Sequence, residues 1–106
     1  MKLGIIISSG EPETVWNAFR FANFSLNNKD RVEIFLIGKG VEYESISNDQ
    51  FNIIEQAQKF LDSDGKIFAC GTCLKIREQG ATELCPLSTM SDLYDLVAGC
   101  DRVISF

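Results

Sequence analysis

The run Leu3-Gly-Ile-Ile-Ile-Ser8 decides the fold class of this chain. It is apolar almost throughout and rich in β-branched side chains, which is the pattern of a strand buried on both faces. Two further strand-like runs follow at Val32–Ile37 and Lys66–Cys70, each preceded by a segment with helical spacing. Strands that alternate with helices predict a parallel sheet, because parallel neighbours need crossover connections.

The segment after the first strand predicts an amphipathic helix. Val15, Phe19, Ala22 and Leu26 lie on one helical face, and Pro12 suits the first turn. We predict strands at 3–8, 32–37, 66–70, 82–85 and 102–106, a loop at 43–49, and helices at 13–27, 51–61, 71–79 and 91–98, the last with Ser91 as its N-cap. The predicted fold is α/β, a single domain over residues 1–106. It is a doubly wound, mostly parallel five-stranded sheet with helices on both faces, a flavodoxin-like or Rossmann-like three-layer sandwich.

Composition limits the chemistry that this chain can perform. It has 106 residues, four cysteines and no histidine, so it cannot form a Ser-His-Asp triad, a Cys-His dyad or a His-ligated zinc or haem site by itself. The net charge of −5 argues against nucleic acid and anionic membranes as partners. The start lacks the pattern of a signal peptide, and no apolar run approaches the roughly 20 residues of a membrane helix. We expect a cytoplasmic protein with reduced thiols.

The cysteines are the candidate functional residues. Ligands of open α/β sheets bind outside the carboxyl ends of the strands, where we expect Cys70, Cys73 and Cys85. Cys70 ends a predicted strand and begins a helix, where backbone N–H groups favour a thiolate or an anionic persulfide. Cys100 precedes the last strand, so we expect it at the opposite edge as a packed thiol.

Cys70 and Cys73 form a Cys-x-x-Cys pair that fits three hypotheses. A thioredoxin-like redox pair has this spacing, but here it follows two βα units and has no proline inside it. A structural zinc site needs four ligands, and only lone cysteines follow this pair, so zinc would have to be held across a subunit interface, and we expect neither metal nor cofactor in the monomer. The third hypothesis is one reactive thiol, Cys70, with Cys73 or Cys85 as a helper that resolves or accepts sulfur.

Gly38-Lys-Gly40 is a weak nucleotide signal, because a dinucleotide fingerprint needs a third glycine and a helix directly after the first strand. Phe21 and Phe24 lie off the main apolar face of the first helix. A helix with two apolar faces in so small a domain indicates contact with another subunit.

The order and spacing of several short motifs resemble the DsrE/DsrF-like (YchN-like) proteins. The motif Lys66-Ile-Phe-Ala-Cys70-Gly-Thr-Cys73-Leu-Lys-Ile-Arg77 resembles the cysteine-bearing strand and helix of that family, and Ile34-Phe-Leu-Ile-Gly38-Lys-Gly40-Val41 its second strand and loop. The tail from Met90 to Phe106 resembles its closing helix and strand.

The resemblance implies a YchN-like fold and assembly as trimers or hexamers, either of one chain or with related subunits. It also implies relay of sulfane sulfur as a cysteine persulfide between donor and acceptor proteins, with Cys70 at the position of the relay cysteine. The sequence therefore predicts a sulfur carrier or sulfurtransferase subunit. The alternative is a non-catalytic oligomeric subunit that binds a ligand or senses redox state through Cys70 and Cys73.

Overall fold

The computed structural model describes residues 1–106 and contains one five-stranded, all-parallel sheet. The strand order is β4-β3-β2-β1-β5. The strands are β1 (Lys2–Ile7), β2 (Arg31–Leu36), β3 (Lys66–Cys70), β4 (Leu87–Ser88) and β5 (Arg102–Ser105). The helices are α1 (Pro12–Asn27), α2 (Tyr43–Ile46), α3 (Ile53–Asp62), α4 (Gly71–Ile76) and α5 (Met90–Gly99), and a 3₁₀ turn spans Gly38–Glu42. The predicted α/β fold class is confirmed.

The two faces of the sheet carry cores of unequal size. One face packs against α1 and α3 in a cluster of 19 buried residues that includes Ile5, Phe19 and Phe60. The other face holds a cluster of three buried residues, Phe35, Cys70 and Leu96, the last of which belongs to α5. Alternating side chains of a strand point to opposite faces, so residues adjacent in β2 enter different cores.

Close packing of α5 on β1 depends on Gly4. A Cβ atom at this position would lie 2.5 Å from Leu96 Cδ2 and 3.1 Å from Cys100 Sγ. The absence of a side chain therefore lets the last helix approach the central strand. None of the helices has the length and apolar character needed to cross a bilayer.

The prediction of a loop at 43–49 is wrong, because Tyr43–Ile46 form a short helix. Tyr43 is fully buried, its ring centroid lies 5.2 Å from that of Phe19, and its hydroxyl donates to the Leu84 carbonyl. Burial of a large aromatic residue with its hydroxyl satisfied stabilises this turn. No local pattern in this polar segment indicated that contact.

The prediction of a fourth strand at 82–85 is also wrong. Thr82 and Cys85 form an isolated antiparallel bridge, and the strand paired with β3 is Leu87–Ser88. The Pro86 carbonyl accepts from Ala69 N–H at 2.9 Å, so pairing with the sheet begins after Cys85.

Two helix ends differ from the sequence prediction. The N-cap of α5 is Thr89, not Ser91, because Thr89 and Asp92 cap each other's backbone N–H groups in a capping box. Helix α4 ends at Ile76, well before the predicted end at residue 79.

Candidate functional site

The candidate site lies at the carboxyl end of β3, where Cys70 ends the strand and is the N-cap of α4. Its thiol takes the place of the oxygen that usually caps a helix, since Cys70 Sγ accepts a hydrogen bond from Cys73 N–H at 3.4 Å. Cys70 is 96% buried, with 4% of its surface exposed. That exposed part lines a cleft.

The cleft beside Cys70 is open and has a volume of about 350 Å³. One wall is the first turns of α4, with Thr72 and Lys75, and the other runs from Leu87 to Met90. Leu87 and Met90 are both more than half exposed. The cleft therefore gives a small reactant or a partner's side chain access to the Cys70 sulfur.

Cys73 is partly exposed and is not among the residues that line the cleft. Its sulfur accepts a hydrogen bond from Gly38 N–H at 3.2 Å. Burial, followed by a hydrogen bond to the Cys70 sulfur, raises the pKa of the Cys73 thiol, while the Gly38 N–H and the Arg77 charge oppose that rise. The structure thus brings the Cys-x-x-Cys pair together as two interacting thiols.

Cys85 does not join the pair. It is fully buried in the larger core, whereas Cys70 belongs to the smaller one. Its thiol donates to the Val41 carbonyl at 3.7 Å, and burial raises its pKa to about 11. Because β4 begins only at Leu87, the expectation that Cys85 ends the fourth strand is wrong.

Cys100 precedes β5 at the opposite edge from Cys70, as predicted, and is partly buried against α5 and β1. Burial also raises the pKa of its thiol. The cysteine and carboxylate side chains form no group of three or more that could hold a metal ion.

Arg77 is a residue of the site that sequence reasoning did not single out. Its Nε lies 2.9 Å from Glu42 Oε2 in an ion pair, and its Nη1 donates to the Cys73 carbonyl at 3.1 Å. The only sequence signal was its place four residues after Cys73, which is one helical turn. Its partner Glu42 is 35 residues away in the chain, so the ion pair depends on tertiary structure.

The fold and this site define a class of small α/β proteins with a cysteine at the carboxyl edge of a parallel sheet. The chain belongs to the DsrE/DsrF-like family, whose pattern it matches over residues 1–106. This match confirms the resemblance seen in the sequence.

Relatives and solved structures agree with this assignment. An uncharacterized protein of Methanopyrus kandleri is 33% identical over 100 residues, which cover 89% of this chain and 83% of the relative. One of Methanocaldococcus jannaschii is 31% identical over 114 residues, covering both chains completely. The crystal structure of the YchN protein of E. coli superposes with a TM-score of 0.84 at 19% identity and full coverage of both chains. A conserved protein of unknown function from Bacteroides thetaiotaomicron superposes with a TM-score of 0.80 at 24% identity, and the match covers 99% of this chain and 94% of that one. At these identities the structures show a common fold.

Proposed function

We propose that this protein carries sulfane sulfur as a persulfide on Cys70. The observation that carries the proposal is the placement of the Cys70 sulfur, which lines an open cleft while accepting a hydrogen bond from Cys73 N–H. A thiolate or a persulfide anion gains from such a donor. Membership of the DsrE/DsrF-like family supports sulfur relay as the general class of activity.

Loading is a transfer between two sulfur atoms. The Cys70 thiolate attacks the outer sulfur of a donor persulfide, R–S–SH, and forms the new S–S bond. The bond between the two donor sulfurs breaks, and the donor leaves as the thiolate R–S⁻. Lys75 lines the cleft and supplies positive charge close to these anionic sulfurs.

The proposal requires a reducing compartment such as the cytoplasm, because Cys70 must remain a thiol between cycles. Donor and acceptor would both approach through the cleft, whose exposed apolar rim, Leu87 and Met90, suits contact with another protein. A redox-sensing role for the Cys70 and Cys73 pair is the second candidate, favoured by the hydrogen bond between them.

Mass spectrometry after loading with inorganic polysulfide tests the proposal. We expect one added sulfur atom per chain, mapped to Cys70 in the wild type and absent from Cys70→Ser. Cys100→Ser is the matched control and should load like the wild type. A Cys70→Ser variant that still gains sulfur to the wild-type extent would refute the assignment. A wild type that forms a disulfide while Cys73→Ser takes up no sulfur would favour redox sensing.

We further propose that the chain assembles with copies of itself, as trimers or hexamers, or with related subunits. Two exposed apolar surfaces support this: Phe21 and Phe24 on α1, and Met90, Tyr94 and Val97 on α5. The α5 residues follow i, i+4, i+7 spacing and share one face. Sedimentation of Tyr94→Glu should then show smaller particles than the wild type. Asp95→Lys, on the adjoining helix face, should not change the particle size, and a monomeric wild type would refute the proposal.

A further inference from the structure

Cys73 is held between the reactive thiol and the 3₁₀ turn. Its backbone N–H donates to Cys70 Sγ at 3.4 Å, and its own sulfur accepts from Gly38 N–H at 3.2 Å. The Gly38 backbone has a φ of +58°, a left-handed conformation that glycine adopts without strain. The position of Cys73 is therefore set by its backbone N–H on one side and by its sulfur on the other.

Arg77, one helical turn after Cys73, also holds that cysteine in place. Its guanidinium donates to the Cys73 carbonyl at 3.1 Å and to Glu42 Oε2 at 2.9 Å, which ties α4 to the 3₁₀ turn. Gln79 adds a second tie, because its Nε2 donates to the Val41 carbonyl at 2.7 Å. Arg77 and the Gly38 N–H thus contact Cys73 directly, while Glu42 and Gln79 tie α4 and the segment after it to the 3₁₀ turn.

We propose that Cys73 is the resolving thiol of this site and that Arg77 is its positioning residue, so that a sulfur loaded on Cys70 is released as hydrosulfide. The proposal rests on the proposed persulfide on Cys70. The Cys73 thiol first gives its proton to solvent. Its thiolate then attacks Cys70 Sγ, a Cys70–Cys73 disulfide forms, and the bond from Cys70 Sγ to the outer sulfur breaks. The outer sulfur takes the electron pair and leaves as HS⁻, while an external dithiol later reduces the disulfide.

The geometry selects Cys73 among the remaining cysteines. Cys85 is fully buried in the larger core on the other face of the sheet, where its thiol donates a hydrogen bond to the Val41 carbonyl. Cys100 precedes β5 and therefore lies at the other edge of the sheet. Only Cys73 contacts the Cys70 sulfur through a hydrogen bond. Cys73 is more exposed than Cys70, but only Cys70 lines the cleft, so a reactant that enters the cleft meets Cys70 first.

The charges around Cys73 give the release step its pH dependence. The titratable groups that face it are Cys70 on β3 and Arg77 on α4, and Glu42 of the 3₁₀ turn is paired with Arg77. Burial raises the pKa of Cys73, which lowers the fraction of the attacking thiolate at a given pH and slows release. Release should therefore accelerate as the pH rises toward that pKa.

The test uses the full chain loaded with inorganic polysulfide, cleared of excess reagent and followed by intact mass and by hydrosulfide detection. The loaded wild type should lose one sulfur atom and two hydrogens, which leaves a chain two hydrogens lighter than the reduced protein, with a Cys70–Cys73 disulfide found by peptide mapping. Cys73→Ser and Cys73→Ala should keep the persulfide and release no hydrosulfide until a thiol is added. Cys100→Ser should behave like the wild type.

Arg77 is tested by the pH profile of release rather than by its rate alone. Arg77→Gln removes the positive charge that lowers the pKa of Cys73, so the midpoint should move to higher pH, while Arg77→Lys should stay nearer the wild type. A slower Arg77→Gln with an unmoved midpoint would make Arg77 purely structural and overturn its assignment.

The outcomes separate this inference from the proposed function. Hydrosulfide release from Cys73→Ser at the wild-type rate, or a disulfide from Cys70 to another cysteine, overturns the role of Cys73 and leaves the carrier function standing. Failure of every variant to load sulfur overturns the carrier function. In that case treatment with the thiol oxidant diamide still tests the pair, because a Cys70–Cys73 disulfide in the wild type would support their exchange and its absence would refute it.

Discussion

Replacement of Gly40 by alanine should destabilise the fold at the turn that supports Cys73. A Cβ atom at Gly40 would lie 2.0 Å from the Ile7 carbonyl oxygen and 2.8 Å from its carbon. These are backbone atoms of a central strand, and the same oxygen accepts from Ile37 N–H at 3.0 Å. The clash therefore forces either the turn or a hydrogen bond between β1 and the end of β2 to move.

The magnitude follows from two costs. Overpacking of a well-packed site costs about 1–3 kcal/mol, and loss of a hydrogen bond adds about 1 kcal/mol. We expect the free energy of unfolding to fall by about 2–4 kcal/mol, which lowers the urea midpoint by at least about 1 M for a domain of this size. Gly38 lies two residues before Gly40, so the strain should also disturb the hydrogen bond from Gly38 N–H to the Cys73 sulfur.

Urea unfolding followed by circular dichroism measures this change. Gly80→Ala is the matched control, because no atom lies within 4 Å of a Cβ at Gly80 and its backbone is not left-handed. We expect Gly80→Ala to retain the wild-type midpoint or to exceed it slightly. Equal midpoints for Gly40→Ala and Gly80→Ala would refute the packing argument.

Three further predictions concern other parts of the fold. Thr89→Ala should lower the free energy of unfolding by about 0.5–2 kcal/mol through loss of the capping box, whereas Ser91→Ala should be nearly neutral in the same urea titration. Hydrogen bonds from the N-terminal amine and Ser25 lower the pKa of Asp30 below its usual 3.8, so its stabilisation is present above that pH and lost as the pH falls through the folded-state value. The stability difference between wild type and Asp30→Asn should accordingly vanish in acid, and a difference independent of pH would contradict this. Cys85, with its pKa raised to about 11, should resist iodoacetamide at pH values near 8 until the protein is unfolded, which peptide mass mapping would detect.

Much of the architecture could be predicted from local patterns. The apolar runs of β1, β2 and β3 and the single-face spacing of α1 identified the central elements, because burial on both faces leaves a continuous signature. The position of Cys70 followed from the end of its strand. These features depend on residues close together in the chain, so a short stretch of sequence is enough to predict them.

The errors share a different cause. Tyr43 begins a helix because it packs on Phe19 and donates to Leu84, and the fourth strand forms at Leu87 because its neighbour is β3. In each case the stabilising partner is distant in sequence. Local propensity in these polar, loop-like stretches was too weak to decide the structure.

The α/β alternation, the lack of histidine chemistry and the Cys-x-x-Cys pair can all be read from the sequence. Which thiols meet depends on the tertiary structure. It put Cys85 in the core on one face of the sheet, Cys70 beside a cleft, and Cys73 between Cys70 and Gly38. The physical reason is that strand order and the packing of loops across the carboxyl edge arise from contacts between distant segments. The spacing of cysteines along the chain carries no record of those contacts.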